Sequence, residues 1–134
     1  MGLTDSERKA MVEYKLSKAN RTFEQAKGNV PLMFWEVIAN RLYYSAYYAV
    51  SALLLANGIS AQTHNGVIQM FSLHFVKTKI VPEELGKLYS KLFTLRLTGD
   101  YNDSYSLTES DVLPLVDPTE EFISIIGRMA TNNS

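Results

Sequence analysis

The stretch from Phe34 to Gly58, FWEVIANRLYYSAYYAVSALLLANG, constrains the chain more than any other. Within it, no charged side chain occurs after Arg41. A helix that is apolar nearly all round belongs inside a bundle or inside a membrane. The uncharged run from Leu42 to Gly58 falls short of the roughly 20 residues that a span usually needs, which predicts a buried core helix and no membrane partner. Its few polar groups then need partners, because an unpaired buried guanidinium or amide is costly. At about 3.6 residues per turn, Arg41, Tyr44, Ser45 and Tyr48 share one face, and Asn40, Tyr43 and Tyr47 another. Either these groups knit the bundle together or they line a site.

The flanking segments read as helices. Thr4-Asp5-Ser6-Glu7 has the spacing of a capping box, opening a helix to Lys27 that Gly28 stops. Met11, Tyr14, Ala19, Phe23 and Ala26 form its expected apolar stripe. Pro31 suits the first turn of the central helix, and Asn57-Gly58 a left-handed cap at its end. Thr63 is the expected N-cap of a third helix carrying Val67, Met70, Phe71 and Phe75, which fades at Thr78. Pro82-Glu83-Glu84 opens a fourth helix that Gly99 ends, and Asp100 to Tyr105 reads as an exposed loop. Pro114 and Pro118 interrupt the remainder, predicting a short helical turn near 109–116 and a helix restarting with Asp117 as N-cap. The expected fold is all-α, an antiparallel up-and-down four-helix bundle with an additional C-terminal helix, residues 1–134 forming a single domain.

Composition narrows the function. A net charge of −1 argues against non-specific duplex binding, which needs a strong basic excess. The absence of cysteine removes disulfides and thiolate metal sites, and the polar N-terminus has no secretory signal, so a cytoplasmic location is expected. Glycine-rich phosphate loops, HExxH and GxSxG are all missing, so no cofactor is expected. His64 and His74 do not share a helix face, and no metal is expected. Glu83-Glu84 and Glu120-Glu121 sit in first turns, where they complement the helix dipole. Arg41 has two readings: a structural partner of Asp100, Asp103 or Glu36, or a fork for an RNA phosphate or for charge at a cleaved phosphodiester. The tyrosines serve as core aromatics or as platforms for stacked bases. His64, at a helix start, is placed to cap, to bind an anion or to move a proton.

Asn40 to Ala49, NRLYYSAYYA, closely resembles the signature helix of the HEPN superfamily (higher eukaryotes and prokaryotes nucleotide-binding domain). The similarity continues through Gly58-Ile59, Thr63 to Val67, Phe71 to Lys77 and the R-x-x-x-D-Y segment from Arg96 to Tyr101, spanning roughly residues 5 to 130. The resemblance implies a helical bundle that dimerises through its signature helices. It also implies a metal-independent ribonuclease toxin, paired with a minimal nucleotidyltransferase antitoxin. The family's catalytic motif is an Arg followed, after four to six intervening residues, by His. Arg41 matches the Arg and Asn40 the polar residue before it, but Tyr48 stands where His is expected. Tyrosine, with a pKa near 10, is a poor base at neutral pH, and losing one acid–base group costs on the order of 10²–10⁴-fold in rate. The reading is therefore a dimeric RNA- or nucleotide-binding module of toxin–antitoxin type with weakened or absent catalysis. The alternative is an active endoribonuclease using Arg41, with Tyr48 or His64 in proton transfer. In either reading Asn40, Tyr44, Asp100 and Tyr101 contact substrate.

Overall fold

The computed structural model describes residues 2–102 and 106–132. Helix α1 (Asp5–Asn29) starts at the capping box, with the Thr4 hydroxyl accepting from the Glu7 amide at 3.0 Å and the Glu7 carboxylate accepting from the Thr4 amide at 2.9 Å. It passes through Gly28 and stops where Pro31 has no N–H to donate. Pro31 therefore closes one helix instead of opening the next. The chain reverses over residues 29–34 with Met33 at φ 58°, a left-handed conformation that few non-glycine residues adopt. The buried stripe of α1 is Val12, Ala19, Thr22, Phe23 and Ala26. Met11 and Tyr14, expected inside, face outward.

Helix α2 (Trp35–Ala56) is the core of the molecule. Ile38, Leu42, Tyr43, Ala46, Ala49, Val50, Ala52 and Leu53 are fully enclosed. Each large apolar side chain among them contributes about 1.5–3 kcal/mol by leaving water. The alanines let α1 approach closely along the helix. Arg8 donates to the Leu55 carbonyl at 2.7 Å, placing a cation at the C-terminal end of α2. Gly58, at φ 70°, then provides the expected left-handed cap.

Helix α3 (His64–Phe71) starts at Thr63, whose hydroxyl accepts from the Gly66 amide at 2.9 Å. A π-helical turn over Ser72–Val76 follows, and both Phe71 and Phe75 stay buried. Helix α4 (Glu83–Tyr101) runs past Gly99, where a stop was expected. A Cβ at Gly99 would lie 3.0 Å from Leu107 Cδ1 and 3.5 Å from Glu36 Cβ, so this glycine permits a close approach and does not end the helix. Asp100 and Tyr101 accordingly belong to the last turn of α4, not to a loop. Asp103, Ser104 and Tyr105 of that expected loop lie outside the described residues.

The short helix α5 (Glu109–Val112) leads through a 3₁₀ turn over Leu113–Leu115 directly into α6 (Val116–Asn132). Asp117 is inside the first turn of α6 and is not its cap. Pro118 fits there because first-turn amides need no intrahelical acceptor. Phe122, Ile123, Ile126 and Ala130 form the buried face of α6. Helix α2 packs against α1, α4 and α6 around one hydrophobic core, and the fold is all-α. Among the described residues no helix is long and apolar enough to cross a membrane.

Candidate functional site

The polar groups of α2 converge on its flank toward α1, α3 and α4. Arg41 is half-buried, and its guanidinium is fixed within the outer layer. Nε and Nη2 donate to Asn40 Oδ1 at 3.0 and 2.7 Å, and Nη1 donates to Gln25 Oε1 of α1 at 3.2 Å. One N–H on each terminal nitrogen is left for a further acceptor. The guanidinium carbon lies 5.4 Å from the centre of the Tyr44 ring. Of the acidic partners expected for Arg41, neither Asp100 nor Glu36, the two among the described residues, pairs with it. Asp103 lies outside the described residues. Asp100 instead accepts from Asn40 Nδ2 at 3.2 Å and pairs with Arg96 Nη1 at 3.7 Å, one turn back on α4. Asn40 therefore bridges two helices, its carbonyl holding Arg41 and its amide holding Asp100.

Beneath this layer, Tyr43 is wholly enclosed and its hydroxyl lies 2.6 Å from His64 Nδ1. Its ring stacks on Tyr89 at 6.0 Å and meets Phe93 at 5.5 Å. Burial pushes the Tyr43 hydroxyl from 10 up to about 12, against opposing contributions from Tyr89 and the Arg96 charge. Burial also raises Tyr89 well above the ordinary tyrosine range. Its enclosed hydroxyl interacts with that of Tyr43 without forming a hydrogen bond of good geometry. His64 is pulled below its ordinary value, first by burial and then by Arg96, so the ring is neutral at physiological pH. A neutral imidazole with one nitrogen engaged by Tyr43 keeps the other as donor or acceptor, according to its tautomer.

His64 can replace the motif imidazole only where folding or dimerisation brings it to Arg41. It does not touch Arg41, yet both pack on Tyr44, His64 edge-on with ring centres 5.7 Å apart. His64 also sits 4.7 Å from Tyr47. Tyr48, which stands where the motif places an imidazole, lies 6.1 Å from Tyr44 and carries Lys18 Nζ at 4.7 Å over its ring. Ser45, expected on the Arg41 face, is buried and donates to the Leu42 carbonyl at 2.7 Å. Tyr101 is exposed at the end of α4, one residue beyond Asp100. The fold thus joins Asn40, Arg41, Tyr44, Tyr48 and His64 in one cluster, with Asp100 attached through Asn40 and Tyr101 at its margin.

The HEPN domain model matches residues 12–129. The chain belongs to the HEPN family. A UPF0332 protein of Thermotoga maritima is 36% identical over 124 residues, covering 92% of this chain and 94% of that protein. A Methanocaldococcus jannaschii relative named as a candidate toxin is 30% identical over 103 residues, covering 77% of this chain and 70% of its own. The crystal structure of TT1696 from Thermus thermophilus has the same fold, with a TM-score of 0.69 at 17% identity over 92% of this chain and 98% of that one.

Within this HEPN chain, Gln25, Lys18 and Arg96 were not among the expected site residues. Arg96 had a signal, since it opens the R-x-x-x-D-Y segment and stands one helical turn before Asp100. Gln25 and Lys18 had none, because their partners lie on a different helix and are set by how α1 docks on α2.

Proposed function

We propose that this HEPN protein is an RNA-binding module of toxin–antitoxin type, acting in the cytoplasm as a homodimer, with catalysis weakened by the absence of an imidazole on α2. The observation that carries the reading is Arg41, half-exposed, clamped by Asn40 and Gln25, and keeping N–H groups for a phosphate. Guanidinium groups bind phosphate through such paired donors. Tyr44 and Tyr48 beside it offer ring faces to bases, and Lys18 adds a cation. Dimerisation is supported by exposed Phe34 and Val37, which continue the Arg41–Tyr44–Tyr48 face toward the start of α2, together with Met33. The toxin assignment draws on relatives named as candidate toxins, and a nucleotidyltransferase antitoxin is the partner that goes with it.

A second reading, an active metal-independent endoribonuclease, is favoured by one observation. His64 and Arg41, from different helices, both lie against the Tyr44 ring. In that chemistry His64 takes the 2′-hydroxyl proton as the 2′-oxygen attacks phosphorus, Arg41 stabilises the charged phosphorane, and the leaving 5′-oxygen takes a proton from water as the P–O5′ bond breaks. The experiment is to titrate a labelled single-stranded RNA with the protein, Arg41→Ala and His64→Ala, then to incubate each with RNA in a chelator. Binding that Arg41→Ala weakens, without cleavage, supports the module. Cleavage lost in both Arg41→Ala and His64→Ala supports the nuclease. RNA affinity indifferent to Arg41→Ala refutes the module, and cleavage that is absent in the parent or indifferent to Arg41→Ala refutes the nuclease.

A further inference from the structure

Arg96 is only 7% exposed, and the proposed RNA contact gives it no role. Its Nε is sealed from solvent without a hydrogen-bond partner. The one carboxylate paired with it among the described residues, on Asp100, lies 3.7 Å from Nη1, and the Asp100 side chain is itself partly exposed. The guanidinium is otherwise surrounded by rings, its carbon 5.0 Å from the centre of Tyr43, 5.6 Å from Tyr44 and 5.6 Å from Phe93. A buried charge so loosely paired is poor glue, since well-packed apolar replacements of such pairs are often neutral or stabilising. Stability alone does not account for it.

Its neighbours do. On one side Arg96 holds Asp100, Asp100 holds Asn40, and Asn40 Oδ1 holds Nε and Nη2 of Arg41. On the other it supports the Tyr43 ring, whose hydroxyl meets His64. Between the two runs Tyr44, in contact with Arg96, Arg41 and His64. We infer that Arg96 is a positioning residue that sets Arg41 through Asp100 and Asn40, and His64 through Tyr43, so that the two outward groups share one buried support. Its contribution to RNA binding rests on the proposed role of Arg41.

The test uses the full chain with Arg96→Gln, Arg96→Lys, Asp100→Asn, Arg41→Ala and the Arg96→Gln/Arg41→Ala double variant. Affinity for a fluorescently labelled single-stranded RNA is read by anisotropy. Arg96→Gln and Asp100→Asn should each weaken binding on the order of tenfold, a coupling typical of contacting groups. Neither loss should appear on top of Arg41→Ala, and Arg96→Lys should recover part of the affinity. Two readouts need no RNA. By NMR, the His64 titration midpoint should rise in Arg96→Gln and stay near the parent in Arg96→Lys, and the Arg41 Nε–H signal should shift in Asp100→Asn. Losses that simply add in the double variant overturn the inference, as do unmoved His64 and Arg41 signals. If Arg96→Gln does not fold, Asp100→Asn, at the solvent end of the chain of contacts, carries the same cycle with Arg41→Ala. RNA affinity indifferent to Arg41→Ala would refute the proposed function, and the two NMR readouts would then decide the positioning role by themselves.

Discussion

Tyr43→Phe removes one atom from the centre of the site and leaves the packing around it. The phenyl ring keeps its place against Tyr89 and Phe93 and under the Arg96 guanidinium, so no cavity opens. What is lost is the 2.6 Å hydrogen bond to His64 Nδ1. A typical intramolecular hydrogen bond is worth about 1 kcal/mol net, and stranding a buried partner raises the cost to as much as about 3 kcal/mol. His64 is only half-buried, so water re-solvates the freed nitrogen and the expected cost stays near the lower figure, about 1 kcal/mol. In urea this is a midpoint lowered by roughly half a molar at unchanged slope, because the area exposed on unfolding is the same. A variant with the parent's urea midpoint would show that the pair does not exist in solution. The account of how His64 is oriented would then fail.

Burial and Arg96 lower the His64 pKa in the folded state, so between 6.5 and that lower value the unfolded chain binds the proton and the folded chain does not. This contribution to stability is complete above pH 6.5 and is lost as the pH falls through the folded value. Thermal melts of the parent and His64→Asn should therefore differ in slope in that window, and parallel curves would contradict the assignment. At the alkaline end Tyr43 runs the opposite way. Its pKa rises from 10 to about 12 on folding, so stability falls as the pH climbs across that interval, and Tyr43→Phe should flatten the decline. At Gly86 an added Cβ would stand 3.0 Å from Val76 Cγ2 and 3.2 Å from Cγ1, methyls on a branched side chain that is stiff at χ1. Gly86→Ala should then lose more than the roughly 1 kcal/mol gained from helix propensity, and Gly86→Ala with Val76→Ala should recover much of that loss in chemical denaturation.

The bundle was legible because its signals are local. The Thr4–Glu7 capping box, the Thr63 cap and the left-handed Gly58 all act within a few residues, and the uncharged run of α2 is long enough to mark the core. Misreadings came where one residue type serves two purposes. Gly28 and Gly99 read as stops along the sequence, yet the first sits inside α1 and the second makes room for Leu107 and Glu36. Pro31 was assigned to the start of α2, and its missing N–H ends α1 instead. In the site, Asn40, Arg41, Tyr44 and Tyr48 were found together because one helix carries them. The inward turn of His64 onto Tyr43, the clamp from Gln25 and the burial of Arg96 depend on how α1, α3 and α4 dock on α2. Helical periodicity along one segment contains none of that information.

The central claim is that Arg41 meets a phosphate of a bound RNA strand, and its most direct measure is the salt dependence of affinity. Each phosphate contact to single-stranded nucleic acid steepens the log–log slope by about 0.7. Binding of a single-stranded RNA oligonucleotide should be titrated across a series of salt concentrations with the parent and with Arg41→Ala. The account predicts a slope shallower by about 0.7 per Arg41 contact in the variant, together with weaker binding at every salt concentration. Parallel lines, or no difference in affinity, would contradict it.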